Sequence, residues 1–482
     1  MIWLLAACAQ ARSAVVVRVD DRAGGTAIAN DFAGLSFESS NLLADKAGNH
    51  LFSGENKDLI HLFRAIGIRN LRIGGGTADL PQYRIPAAAD IDQLFDFAKA
   101  ADVKVIYTLR LLNGDAKNDA EIARYIHQHY ASQLVCFQIG NEPDWHSYHS
   151  SPGHAVDPRI FEAMPNSTGS AYPSFLATWN AFASAINDLV PDVKYTGPDT
   201  GSNHPVPGTK DTDFKQQSWT EHFARDQKAT GRLVFVAQHD YVGENAAGVS
   251  IPTAISSMLS REWLQTRYPL LFEHVLAPVQ NEGLSYRMTE ANDYTGGVDG
   301  ASNAYASALW ALDYLHWHAA HHAIGVNFHN KRWIYTDTIF LDPSGKFRFN
   351  PKAYAIRAFD VASHGSVVPL TIANPENLNL TAYAVRDTHD LYVTLINKEY
   401  GPDAQNAAIT ISASGITGRA AAMFLKAPNG DVKDRSGITF GAAEITAGGW
   451  NGQWADLDVC RNEQTTVTLP AASAVVVKLA VK

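Results

Sequence analysis

From about residue 32 to residue 329, short apolar runs of strand length alternate with helical stretches. The strand candidates are 32–39 (FAGLSFES), 68–75 (IRNLRIGG), 104–112 (KVIYTLRLL) and 134–140 (LVCFQIG). They continue with 193–198 (VKYTGP), 232–239 (RLVFVAQH), 285–290 (SYRMTE) and 323–329 (AIGVNFH). Between several of them apolar residues recur every three or four positions, as in Asp90–Ala101 and Phe175–Val190, which predicts amphipathic helices. Eight strands alternating with helices predict an α/β fold, a (β/α)8 TIM barrel over residues 32–350. Each strand runs into a polar or glycine-rich segment at its C-terminal end, the face on which barrel enzymes build their sites.

After residue 350 the period changes to two. YAVRDTHDLYVTLINK, AAITISASG, AAAMFLKAPNG and TTVTLPAASAVVVKLAVK are short alternating strands separated by turn residues. Residues 351–482 therefore predict an antiparallel β-sandwich, and the early strand Ala14–Val19, within 15–31, is expected to join it. Residues 1–14 (MIWLLAACAQARSA) have the apolar run and small-residue end of a secretory signal. Leu5-Ala6-Ala7-Cys8 also resembles a lipoprotein cleavage site, which points to a secreted or periplasmic protein. There is neither a solenoid repeat nor a low-complexity linker.

Composition narrows the field. The 482 residues are 46% hydrophobic and 18% charged, enough to bury a large core. A formal charge of −10 argues against a nucleic-acid partner, and no stretch is apolar for long enough to span a membrane. Cys8, Cys136 and Cys460 make no disulfide framework, and Cys136 reads as a small buried hydrophobe. In LHWHAAHHA, His318 and His322 stand four apart, but no glutamate sits between them in a zinc-binding arrangement. The stretch reads as a packed helix face, with no metal and no cofactor expected.

The chemistry lies in two glutamates. Glu142 follows the fourth strand in FQIGNEPDW, and Glu290 closes the seventh in SYRMTEAND. Strands four and seven lie across a barrel mouth, so both carboxyls can face one sugar ring. Glycoside cleavage with retention needs such a pair about 5–5.5 Å apart, one protonated to assist the leaving oxygen and one ionised to attack. Asn141 can hydrogen-bond a sugar 2-hydroxyl, and Pro143 keeps Glu142 out of a helix.

GNEPD at 140–144 and RMTEAND at 287–293 resemble the retaining β-glucuronidase and heparanase family, glycoside hydrolase family 79. GLSFESSNL (34–42), LRIGGGTAD (71–79), QHDY (238–241), YTGG (294–297), SALWALDYL (307–315) and GVNFH (325–329) extend the likeness through most of the barrel. The resemblance implies a carbohydrate substrate, a β-linked glucuronic acid as glycone, and no metal. It implies Glu142 as acid/base and Glu290 as nucleophile. It places Glu38 and Asp79 at the rim for glycone hydroxyls, His239 and Tyr241 beside the nucleophile, and Tyr335 against the glycone. Tyr294, Gly296 and Gly297 match the loop that receives the sugar carboxylate through backbone N–H groups. Two features depart from the family: a third glycine, Gly76, followed by Thr77, and a loop after Glu290 about one residue shorter than expected. A polar loop from about Trp145 to Tyr172 lies on the acid/base side. An endo-acting heparanase-like enzyme and a neutral-sugar β-glycosidase share these motifs. A non-catalytic sugar-binding protein would have no need of both glutamates.

Overall fold

The structure is a computed structural model, and it describes residues 14–20, 24–146, 171–201, 214–330, 335–458 and 460–481. The leader segment and most of the 145–172 loop lie outside the described residues.

After the N-terminal strand β1 (Val15–Val19) come β2 (Ala33–Glu38), β3 (Asn70–Gly74), β4 (Lys104–Leu109) and β5 (Leu134–Ile139). The fifth barrel position holds two short pieces, β6 (Tyr195–Thr196) and β7 (Pro198–Thr200), joined through Gly197. β8 (Val236–Tyr241), β9 (Tyr286–Asn292) and β10 (Gly325–Asn330) complete the set. All the pairings are parallel, in the order β6-β5-β4-β3-β2-β10-β9-β8-β7, and the two halves of the fifth position close the ring. This is the (β/α)8 barrel that the alternating pattern predicts. The expected fifth strand, 193–198, starts two residues later and runs on to Thr200.

Helices wrap the barrel with their apolar faces inward. Lys57–Ile66 is capped by the Asn56 side chain and ends on Gly67 in the left-handed conformation. Tyr305–Ala320 is apolar on almost every side and buried along nearly its whole length, because barrel and sandwich both pack on it. His318 lies inside this helix, 4.3 Å from the Tyr314 ring, whereas His322 lies beyond its end and bonds Thr26.

A hairpin of β11 (Ile339–Leu341) and β12 (Phe347–Phe349) leads to helix Lys352–Ala362. That helix buries Ala355, Ile356 and Phe359 in the large core that runs from the barrel into the sandwich, and the first sandwich strand after it starts at Ser366. Its strands are β13 (Ser366–Val368), β14 (Leu370–Ala373), β15 (Leu380–Arg386), β16 (Asp390–Asn397), β17 (Ala407–Ala413), β18 (Ile416–Lys426), β19 (Thr439–Phe440), β20 (Ala455–Asp456), β21 (Gln464–Leu469) and β22 (Ser473–Val481). One sheet has the order β14-β1-β17-β21, and the other is built on β13-β15-β16-β22-β18-β19. β1 joins the first sheet as expected. It is antiparallel to β14 but parallel to β17, so that sheet is mixed. Alternation along β1 turns Val15, Val17 and Val19 into the sandwich core and Val16 and Arg18 away from it.

Candidate active site

Parallel register builds the barrel mouth. His329 on β10 pairs with Ser36 on β2, and Ser36 pairs with Arg72 on β3. Three polar side chains thus stand in one row inside the barrel, and Ser36 Oγ bonds both His329 Nδ1 (3.1 Å) and Arg72 Nη1 (3.0 Å). On the other side, His239 of β8 pairs with Glu290 of β9.

Glu290 is the most heavily supported group. Arg72 Nη1 donates to its Oε2 at 2.7 Å, and the Tyr241 hydroxyl donates to its Oε1 at 2.7 Å. Burial alone would raise its pKa, but His329, His239, Arg72 and the Tyr241 hydroxyl outweigh burial and hold it well below the usual carboxylate range. Burial and the Glu290 charge push the Tyr241 phenol well up, so it keeps the proton it donates.

Glu142 sits on a turn that the protein holds firmly. Its backbone is left-handed, φ 46, and its N–H donates to the carbonyl of Asp199, itself left-handed at φ 65. Such conformations in residues other than glycine cost of order 1–3 kcal/mol and persist where the surroundings fix them. Pro143 opens the short helix Pro143–His146 directly after it. The Glu142 side chain is 28% exposed, against 7% for Glu290, and its Oε1 lies 2.9 Å from His239 Nδ1. One oxygen of each glutamate and one ring nitrogen of His239 all lie within 4.8 Å of one another.

Those three groups have the spacing of a metal cluster but not its chemistry. Burial would lower His239, but the Asp199 and Glu290 charges and the Glu142 oxygen beside its Nδ1 raise it to about 10. Arg72 already faces Glu290 at 2.7 Å, so a metal ion there would meet a fixed cation.

The other expected residues fall into two groups. Glu38 lies at the cleft, where its Oε2 accepts from Thr77 N and Oγ1, and its Oε1 is 3.4 Å from His329 Nε2. It borders an open cavity of about 620 Å³ that continues past Gly76, Thr77 and Tyr83 to Lys46. Gly75, at φ 68, leaves this carboxylate its room, since a Cβ there would lie 2.5 Å from the Glu38 carboxyl carbon. Asn141 Oδ1 accepts from Arg72 at 2.6 Å, which fixes the orientation of its amide. Tyr335 is 38% exposed and sits against Gly297, where a Cβ would come within 3.0 Å of the tyrosine Cβ.

Asp79, expected at the rim, lies beside the acid/base turn. It is buried, and its carboxylate accepts the backbone N–H groups of Leu111, Leu112 and Asn141, so it anchors the acid/base turn from below. The Tyr294–Gly297 loop is partly tied to its neighbours. The Tyr294 ring is buried against Trp263, Thr295 N donates to Glu244 O, and Gly297 N donates to Tyr294 O. The Tyr294 and Gly296 N–H groups make no backbone hydrogen bond among the described residues.

Sequence reasoning gave no role to Arg72, Asp199, His329 or Lys352. Lys352 Nζ is buried and donates to Asn292 Oδ1 and Thr336 O, tying the end of β9 to the segment after β10. The available signal was a charged residue inside an apolar strand, as in LRIGG and GVNFH.

No protein-family profile and no curated protein sequence matches this chain. Solved structures do match in fold. A 4-O-α-L-rhamnosyl-β-D-glucuronidase from Fusarium oxysporum is similar at TM-score 0.70 and 16% identity, over 96% of this chain and 99% of that one. A bifunctional glucanase-xylanase from a metagenome library gives 0.65 and 15%, over 97% and 99%. A family 51 α-L-arabinofuranosidase from Bifidobacterium longum gives 0.66 and 13%, over 97% and 100%. The chain thus shares one two-part architecture, barrel and sandwich together, with glycoside-cleaving enzymes along nearly its whole length.

Proposed function

We propose that this protein is a retaining glycoside hydrolase that releases β-linked glucuronic acid by double displacement. The observation that carries the reading is the pairing of two unlike glutamates. Glu290 is buried and held ionised by Arg72 and Tyr241, while Glu142 is accessible and within 4.8 Å of it. In the first step a Glu290 oxygen bonds to the anomeric carbon while the bond to the leaving oxygen breaks and that oxygen takes the proton of Glu142. In the second, water gives its proton to Glu142 and its oxygen to the anomeric carbon, which frees Glu290. A uronic acid glycone is supported by the GNEPD and RMTEAND motifs and by the glucuronidase among the similar structures. The apolar, small-residue segment 1–14 supports an exported enzyme.

Rates on 4-nitrophenyl β-D-glucuronide, β-D-glucoside and β-D-xyloside test the reading. The glucuronide should be cleaved at least about a hundredfold faster than the glucoside, because a site built for one polar group rejects analogues lacking it. Equal rates would remove the uronic acid, and inactivity on all three would remove the glycosidase. Proton NMR of the first product should show the β-anomer; initial α-anomer would rule out retention.

A further inference from the structure

Among the buried carboxylates that the two-glutamate scheme does not use, Asp199 touches both halves of the site. Asp199, between Pro198 and Thr200 on β7, has a wholly buried side chain on which four other barrel strands converge. Its Oδ2 accepts from Arg72 Nη2 of β3 and from Gln138 Nε2 of β5, each at 2.5 Å. The same oxygen lies 2.8 Å from His239 Nε2 of β8, in an ion pair bent away from the N–H direction. Its Oδ1 accepts from Thr289 Oγ1 of β9, and its main-chain carbonyl accepts from Glu142 N at 3.0 Å.

We infer that Asp199 is a positioning residue for both glutamates, holding Arg72 against Glu290 and keeping His239 a proton donor to Glu142. The inference rests on the glycosidase reading and adds a reason for the histidine. A neutral His239 would offer a ring nitrogen 2.9 Å from Glu142, and that nitrogen would compete with the leaving oxygen for the acid proton. A His239 protonated on both nitrogens cannot accept, so it orients Oε1 as a donor and leaves Oε2 to carry the acid proton. The charges facing His239 are Asp199 from β7, Glu290 from β9, Glu142 and Asp144 from the acid/base turn, and Arg72 across the barrel through Asp199. Of these, Asp199 is wholly buried and lies 2.8 Å from the ring, so it dominates.

Asp199→Asn keeps the size and removes the charge. In substrate-free wild type, the His239 ring signals, assigned by their loss in His239→Gln, should stay in the protonated form to about pH 10. In Asp199→Asn that titration should fall by about 1–3 pH units. The kcat should drop roughly 10²–10⁴-fold with KM little changed, as when a buried carboxylate behind a catalytic histidine is neutralised. The pH profile on an activated aryl glycoside should move with the titration. Loss of activity with an unchanged His239 titration and pH profile would make Asp199 merely structural and overturn the proposal. So would a wild-type His239 that deprotonates near its ordinary value, roughly 6.5, a measurement that needs no variant to fold. The titration reads the protein without substrate, so it stands apart from the glycosidase reading, which fails only if the wild type cleaves no β-glycoside.

Discussion

The sandwich core and the barrel mouth are both buried, yet they are built on opposite rules. Between the two sheets the packed residues are Val15, Val17, Leu391, Val393, Leu395, Ile409, Ile411, Val475, Val477 and Leu479, all aliphatic. At the mouth, Arg72, Asp199, His239, Glu290, Gln138, Thr289 and His329 are just as inaccessible, and every one is polar. An aliphatic core is specified by volume and pattern, and its members can be exchanged if packing is kept. A buried charged network is specified by partners, because removing one member strands another without solvent or counter-charge. Strand period alone predicts the first kind of region. The second is where a sequence breaks the burial rule, and such breaks collect at functional sites.

The largest difference between the regions should appear in rate. Glu290→Ala should lose activity by roughly 10⁴–10⁶-fold with every leaving group, since nothing else can form the glycosyl-enzyme. Glu142→Ala should keep turnover on activated aryl glycosides, and added azide should raise it further. Leu391→Ala, in the sandwich core, should leave kcat unchanged and cost about 2–5 kcal/mol in urea melts. A Leu391→Ala enzyme that loses rate in step with Glu290→Ala would erase the distinction. Azide rescue of Glu290→Ala instead of Glu142→Ala would exchange the two catalytic roles.

Next comes stability at the mouth. Arg72 is fully buried and bonds Glu290, Asn141, Asp199 and Ser36. Arg72→Met should destabilise by about 3–5 kcal/mol near neutral pH, because Asp199 and Glu290 then lack their shared cation. The loss should shrink as pH falls and those carboxylates take up protons. Urea midpoints at two pH values check this, and an equal loss at both would mean that the arginine acts by packing alone.

The same contrast explains what could be read from the chain. The eight strands, the two glutamates at strand ends and the early strand of the sandwich follow from local period and short motifs. Asp199 does not, because Gly197-Pro198-Asp199-Thr200-Gly201 has the composition of a turn, and the meaning of its carboxylate lies in partners 40 to 127 residues away. Asp79 and Arg72 sit in the conspicuous LRIGGGTAD stretch, but spacing cannot tell a side chain aimed at substrate from one aimed at the chain's own amides. Lys352–Ala362 is an ordinary helix in sequence, and its burial in a core shared by barrel and sandwich shows only in the packing.

The smallest effect expected is a change of slope, and it concerns Asp144, two residues after Glu142. Asp144 is buried, and its Oδ1 accepts from Gly201 N at 3.0 Å. Burial, with a further contribution from the Glu142 charge, raises its pKa to about 7, although the Gly201 N–H and His239 oppose the rise. In the unfolded chain the same group titrates near the ordinary value of about 3.9. Between those values the folded protein keeps a proton that the unfolded chain has lost, so rising pH favours unfolding. This contribution to stability is present in full below about pH 4, declines toward pH 7 and is constant above it. Asp144→Asn keeps the acceptor for Gly201 and cannot ionise, so it should flatten that part of the stability curve by up to one proton's worth of slope. Leu391→Ala, in a core whose fully buried members are all aliphatic, should lower the melting temperature by the same amount at every pH. Melting temperatures of the three proteins from pH 4 to 8 decide the matter. An Asp144→Asn curve parallel to the wild type would mean that Asp144 is ionised throughout, and the contrast between the two regions would then stop at the groups that Arg72 touches.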